Sequence, residues 1–249
     1  MDLDGRVAFV TGASGGIGAT IANALAAAKA DVVVGYTSNL PGAVSTCATV
    51  KALGRRAEVV QLDQTDPTSA EAATETAAGH FGRLDVLINN AAWNIGIPFL
   101  ELDALTVDIW DRIFSTNVRG PFVLARLAAR HMLKQGGGRV VNIASVAGLI
   151  PAGSSIAYAC SKAALIHLTR CLAVALAPEI TVNCVAPGLV EGTRMAERLP
   201  EVVVQTAKQL AVLKRTVSAD DIAQQVVAFC RSDSVTGQVL TVDGGIHFH

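Results

Sequence analysis

Thr11-Gly12-Ala13-Ser14-Gly15-Gly16-Ile17-Gly18 is the stretch that decides the fold of this 249-residue chain. An apolar run, Val7-Ala8-Phe9-Val10, leads into it. A helix-forming run, Ala19 to Lys29, leads out. Strand, glycine-rich turn, helix is the opening of a nucleotide-binding α/β unit. Glycines let the backbone come close to a pyrophosphate, and the helix N-terminus offers it free N–H groups and a positive dipole end. Gly12, Ser14, Gly16, Ile17 and Gly18 are therefore expected on the cofactor. The spacing is G-x-x-x-G-x-G rather than the commoner G-x-G-x-x-G.

Outward from the turn, short β-branched runs alternate with Ala-rich helical runs. The expected strands are Val7–Thr11, Val32–Tyr36, Ala57–Leu62, Val86–Asn89, Arg139–Ile143, Thr181–Val185 and Val239–Val242. Each is a continuous apolar run, as parallel strands covered on both faces require. The alternation predicts right-handed βαβ units, hence an α/β, Rossmann-like doubly wound parallel sheet. No linker or repeat divides the chain, so one domain is expected over 1–249. An irregular stretch, Leu189 to Arg215, follows Pro187-Gly188 and carries a helical pattern around Pro200–Leu213. Placed after a late strand, it is expected to act as a lid over the ligand crevice.

Composition narrows the function. Hydrophobic residues make up 51% and charged residues 16%. The helical patterns at Arg119–Lys134 and Ala157–Ala177 are apolar over most of their surface. Both facts predict a homo-oligomer, without counting its subunits. A net charge of −1 without a basic run argues against nucleic acid. No apolar run spans a membrane, and the N-terminus, with Asp2 and Asp4, reads as a strand and not a signal peptide. Cys47, Cys160, Cys171, Cys184 and Cys230 form no C-x-x-C pair. They read as buried, reduced thiols of a cytoplasmic protein, with no metal site.

The tip of the second strand speaks to the cofactor. An acidic residue about 20 residues after the glycines would hold the adenosine ribose. The sequence there is Gly35-Tyr36-Thr37-Ser38-Asn39, and Asp31 lies at the wrong end of the strand. Without a carboxylate, a 2′-phosphate meets no repulsion, and Thr37, Ser38 and Asn39 can donate to it. NADP(H) is favoured, with NAD(H) as the alternative. Asp63 and Gln64, at the end of the third strand, are placed near the adenine; for Asp63 the competing reading is a helix cap, although Asp66 before Pro67 caps better. Asn90, Ala91 and Ala92, after the fourth strand, leave room for the cofactor.

Tyr158-Ala159-Cys160-Ser161-Lys162 sets a phenol and an ammonium four apart, on one helix face. A cation beside a phenol favours phenolate and makes Tyr a usable general acid/base. Ser145 follows the strand Val140-Val141-Asn142-Ile143, at the edge where active sites of such sheets lie. With these residues in place, the chain resembles the short-chain dehydrogenase/reductase family over nearly its whole length. The matches come in order: Thr11-Gly12-x-x-x-Gly16-Ile17-Gly18, Asn89-Asn90-Ala91-Ala92, Asn117, Ser145, Tyr158-x-x-x-Lys162, Pro187-Gly188, Thr236-Gly237-Gln238 and Asp243-Gly244-Gly245.

The resemblance implies a catalytic tetrad. Tyr158 would exchange the proton, and Lys162 would lower its pKa and bind the nicotinamide ribose. Ser145 would orient the substrate oxygen, and Asn117 would hold a water that links Lys162 to solvent. Pro187, Gly188, Val190 and Thr193 would surround the carboxamide. The expected reaction is hydride transfer between a ketone and a secondary alcohol. The expected substrate wall is apolar: Trp93, Ala147, Leu149, Ile150, Leu189, Met195 and Leu199. Arg194, Arg198 and Lys208, near the lid, would suit the alternative, a 3-oxoacyl-thioester reductase. A remoter alternative is a non-catalytic nucleotide-binding scaffold. The tail His247-Phe248-His249 is read as packing at a subunit contact rather than binding metal.

Overall fold

The computed structural model describes residues 1–193 and 200–248. Its strands are β1 (Val7–Val10), β2 (Asp31–Tyr36), β3 (Ala57–Gln61), β4 (Val86–Asn89), β5 (Gly138–Ile143), β6 (Ile180–Pro187) and β7 (Val239–Val242). All expected strands are present, with ends moved by a residue or two. They form one 7-stranded sheet in the order β3-β2-β1-β4-β5-β6-β7. Every neighbouring pair is parallel. The order reverses between β1 and β4, so a ligand crevice opens beyond their C-terminal ends. Strands β1, β4, β5 and β6 are buried along their full length, which explains their unbroken apolar runs.

Helices α1 (Gly16–Ala27), α2 (Leu40–Ala52), α3 (Pro67–Phe81), α4 (Val107–Phe114), α5 (Gly120–Lys134), α6 (Ile156–Ala175), α7 (Glu201–Leu210) and α8 (Ala219–Arg231) fill the connections. Their apolar sides build two cores. Ile21, Leu25, Val50, Ile222 and Val226 cover one face of the sheet, from α1, α2 and α8. Ala73, Leu124, Leu127, Met132 and Leu172 cover the other, from α3, α5 and α6. Asn39, Asp66, Thr106, Ser155 and Ser218 cap α2, α3, α4, α6 and α8 through side-chain oxygens. Among the described residues no helix is long and apolar enough to cross a membrane.

Two carboxylates anchor the edge of the sheet opposite the crevice. Asp31, first in β2, is buried and pairs with Arg55 and Arg56. Asp85 receives Arg6, Arg83 and the Val7 N–H. Burial alone would raise the Asp85 carboxyl, but these bonds and the Arg83 charge outweigh it and hold it below the usual carboxylate range.

The thiols divide differently from expectation. Cys47, Cys184 and Cys230 are buried, whereas Cys160 and Cys171 are exposed. Both exposed thiols lie on the side of α6 turned from the sheet, where Val174 is 82% exposed. That face is uncovered within one chain, so an apolar residue there gains no burial.

The glycine turn is also held differently. A Cβ on Gly12 would come within 2.9 Å of Ala91 Cα, and one on Gly18 within 2.5 Å of Gly12 O and Asn90 Nδ2. These two glycines admit the loop after β4. Gly18→Ala is therefore expected to cost roughly 2–3 kcal/mol, the range for overpacking against backbone. A denaturation midpoint equal to that of the parent protein would contradict this packing.

Candidate active site

The crevice has a nucleotide side built on β1, β2 and β4. Thr11 Oγ1 donates to Ile88 O and accepts from the N–H groups of Asn90 and Ala91. Asn90 Nδ2 donates to the carbonyls of Thr11, at 2.9 Å, and Gly12, at 3.2 Å. These bonds lock the glycine turn to the loop after β4. By contrast, Cβ positions built on Gly15 and Gly16 meet nothing within 4 Å, and Gly16 has φ +54°. Helix α1 starts there with no side-chain cap and no acidic residue in its first turn. Its leading N–H groups face an open cradle, which fits a pyrophosphate.

At the tip of β2, Thr37, Ser38 and Asn39 are exposed beside a half-buried Tyr36. Two of their side-chain donors are engaged. Thr37 Oγ1 donates to Leu62 O at 2.9 Å, and Asn39 Nδ2 to Ser14 O at 3.1 Å. Asn39 Oδ1 accepts from Gly42 N as the cap of α2. Ser38 keeps its hydroxyl, and the first turn of α2 carries no acidic residue. Asp63 is exposed, and its Oδ1 accepts from the N–H and hydroxyl of Thr65. Asp66 caps α3 with Pro67 in the first turn. Gln64 is a clamp: its buried amide donates to Ala91 O and Thr116 O.

The reacting side is built on β5, α6 and the turn between α4 and α5. Tyr158 and Ser145 are hydrogen-bonded side chain to side chain. Ser145, with φ −170°, leads a short 3-10 turn, Val146–Gly148. Burial pushes the Tyr158 phenol up to about 12, and the Ser145 bond opposes this only in part. Lys162 Nζ lies 5.7 Å from the Tyr158 ring centre and donates to Ile143 O at 2.8 Å. Burial pushes the ammonium down to about 8, with the neighbouring Cys184 thiol opposing. The expected lowering of the Tyr158 pKa by Lys162 is not seen here. Desolvation dominates the phenol, and the ammonium directs a proton at the Ile143 carbonyl instead.

Asn117 is 1% exposed and lies on a π-helical turn, Ser115–Arg119. Its Oδ1 accepts from Trp93 N, and its Nδ2 donates to Trp93 O and Ser161 Oγ. The side chain is thus spent on structure. Single inserted π turns of this kind are frequent at functional sites.

The remaining expected residues fall around this centre. Gly188 N donates to Val242 O, and a Cβ on Gly188 would meet Asp243 Cβ at 2.7 Å. Val190 is buried and bridges to Val217, and Thr193 Oγ1 donates to Val190 O. Ala147 is buried with Tyr158, Ala159 and the partly buried Phe99. Leu149, Ile150 and Leu189 are half-buried. Trp93 is half-buried, with the Arg112 guanidinium 4.1 Å above its ring. Lys208 ion-pairs with Glu191 at 2.6 Å. Arg194, Met195, Arg198 and Leu199 lie outside the described residues.

Three contributors escape sequence reasoning. Phe99 reaches Tyr158 because the loop after β4 folds over α6, where Ile97 N bonds Ser154 O. Nothing local signals that. Ser161 is fully buried and joins Tyr158 O to Asn117; its place in Tyr158-x-x-Ser161-Lys162 was the available signal. Asp243 gathers the N–H groups of Gly245, Ile246 and His247 and the His247 ring Nδ1. The tail histidine thus has a carboxylate partner within its own chain.

A nucleotide cradle, a Tyr–Ser pair and a buried lysine at one sheet edge define a nucleotide-dependent oxidoreductase site. The short chain dehydrogenase family model matches residues 6–203. The chain belongs to that family and is a dehydrogenase/reductase acting on alcohols and ketones. It is 40% identical, over 97% of its length and 96% of the relative's, to a protein assigned as ketoacyl reductase 2 of the granaticin polyketide synthase of Streptomyces violaceoruber. It superposes on acetoin dehydrogenase of Enterobacter cloacae with a TM-score of 0.86 at 40% identity, covering 97% of this chain and 96% of that one. An NAD+-bound xylitol dehydrogenase gives a TM-score of 0.92 at 29% identity, covering 98% of this chain and all of the other.

Proposed function

We propose that the protein is an NADP(H)-dependent reductase of an apolar ketone, with Tyr158 as the general acid. The observation that carries this reading is the Ser145–Tyr158 hydrogen bond beside buried Lys162, at the C-terminal edge of β5. The nicotinamide supplies the hydride when bound; that chemistry is the cofactor's own. Ser145 holds the substrate oxygen against the phenol. Tyr158 gives its proton to that oxygen as the alkoxide forms, a transfer worth about 10²–10⁴ in rate. Lys162 holds the ribose and steadies the charge left on the phenol. Pro187, Gly188, Val190 and Thr193 receive the carboxamide.

NADP(H) is supported by the missing carboxylate at the tip of β2, by the Ser38 hydroxyl and by the lack of an acidic residue in the first turn of α2. Here kcat/KM with NADPH is expected to exceed that with NADH by about tenfold, a difference of one favourable anion contact. A preference for NADH would overturn the cofactor assignment. The apolar surroundings, Trp93, Ala147, Leu149, Leu189 and Phe99, support an uncharged substrate. A second reading, a 3-oxoacyl-thioester reductase, is favoured by the name of the Streptomyces relative. Acetoacetyl thioester turnover set against simple ketones separates the two. The uncovered faces of α5 and α6, with Phe122 and Val174 exposed, support a homo-oligomer.

A further inference from the structure

We infer that Ser161 is a positioning residue for substrate discrimination: through the Asn117 amide it fixes the main chain of Trp93, and with it the indole wall of the pocket. The inference rests on the ketone-reductase reading above and adds a residue to it.

The Ser161 hydroxyl is fully buried, with two neighbours. It donates to Tyr158 O at 2.7 Å and accepts from Asn117 Nδ2 at 3.1 Å. A buried helical serine that bonds a carbonyl one turn back is ordinary. The second bond is not. With its only proton committed to Tyr158 O, Ser161 presents a lone pair to Asn117. That lone pair demands the nitrogen of the Asn117 amide, not its oxygen. The orientation of the amide is thereby chosen.

The choice reaches Trp93. Asn117 Oδ1 accepts from Trp93 N at 2.9 Å, and Nδ2 donates its second proton to Trp93 O at 3.0 Å. Both main-chain groups of one residue are clipped by one amide. A flipped amide would set donor against donor at Trp93 N and acceptor against acceptor at Trp93 O. The Arg112 guanidinium stacks on the indole, 4.1 Å from the ring centre. Ile97, four residues on, is tied to Ser154 O, so the loop is pinned at both ends. The chain Tyr158 O–Ser161–Asn117–Trp93 thus places a large apolar ring relative to the helix that carries the acid.

The test is a double-mutant cycle read on selectivity. Ser161→Ala leaves one Asn117 proton unpaired and removes the reason for its orientation. The ratio of kcat/KM for a compact methyl ketone to that for a bulky aryl ketone is expected to shift by about tenfold, a coupling typical of residues in one hydrogen-bond network. The shift should lie in KM for the bulky ketone, with the pH midpoint of kcat kept. In a Trp93→Ala background, where no indole remains to be placed, adding Ser161→Ala should move the ratio no further. An unmoved ratio, or equal shifts in both backgrounds, would overturn the inference. Should Ser161→Ala fail to fold, Ser161→Cys keeps the volume, weakens both bonds and takes its place in the cycle. Failure of the reaction itself is told apart by Tyr158→Phe. Turnover surviving that change removes the underlying reading. A dead Tyr158→Phe with an additive cycle removes only the role of Ser161.

Discussion

Tyr158→Phe is expected to lower kcat by about 10³-fold, within the span of a lost general acid, while cofactor affinity stays near that of the parent. The phenyl ring keeps the packing on Ala147, Ala159 and Phe99. The helix keeps its Ser155 cap, since Ser155 Oγ accepts from the main-chain N–H of residue 158. The cradle at Gly15 and Gly16 lies on another turn of the fold and is untouched. Only the proton and its bond to Ser145 are removed. NADPH fluorescence titration reads the binding, and single-turnover kinetics read the chemistry. Turnover within tenfold of the parent enzyme would sink the assignment of Tyr158 as acid.

The prediction depends on a pKa that works against a free tyrosine. In the structure the phenol is pushed up to about 12 by burial. It is therefore protonated throughout the neutral range, as reduction requires of an acid. For oxidation of an alcohol the same group must accept a proton, and a higher pKa makes that start costlier. The kcat of the oxidative direction should consequently gain from alkaline pH, whereas reduction should be flat around neutrality. Binding of the ribose by Lys162 would turn the ammonium toward the phenol and narrow this difference.

The sheet was legible because its strands are doubly covered. A run such as Val7-Ala8-Phe9-Val10 suits a strand buried on both faces, as in a parallel sheet, and the βα alternation then leaves little freedom of topology. The cap Asp66 was legible from its place before Pro67, whereas Asn39, read as a donor to a 2′-phosphate, serves as the cap of α2. The glycine turn keeps open space at Gly15 and Gly16, but Gly12 and Gly18 pack on Asn90 and Ala91, more than seventy residues away, and nothing in an eight-residue stretch announces such a neighbour. Asn117 shows a second limit. Its residue type suits a water-holding role, yet its side chain is consumed by Trp93 and Ser161. Exposure on α6 was misread for Cys160 and Cys171 because composition cannot say which side of a helix meets the sheet. Long-range contacts are what a periodicity leaves undecided.

Lys162→Met is expected to abolish turnover and yet to stabilise the protein at pH 7. Lys162 is 2% exposed, and its ammonium is pushed down to about 8 by burial, with no counter-charge but a Cys184 thiol that is itself pushed up to about 11 and neutral. The sign follows from linkage. Between pH 8 and the unfolded value of 10.5, the unfolded chain holds a proton that the folded chain has lost, so stability rises with pH there. Below that window the full penalty stands, about 3 kcal/mol at pH 7. Methionine removes the charge and fills similar space with apolar atoms. Against this gain stands the Ile143 carbonyl, left without its donor, at about 1–3 kcal/mol. The net at pH 7 is a stabilisation of about 1 kcal/mol, read as a Tm rise of about 2–4 °C for a chain of this size. As pH approaches 10.5 the charge penalty vanishes while the carbonyl remains bare, so the variant should become the less stable of the two. A melting series from pH 7 to 10.5 should therefore show the two curves crossing. A variant that melts below the parent at pH 7, by a margin constant in pH, would mean that the ammonium is not paying a burial cost in the folded protein. The folded site would then hold its lysine without the desolvation that pushes the ammonium down to about 8.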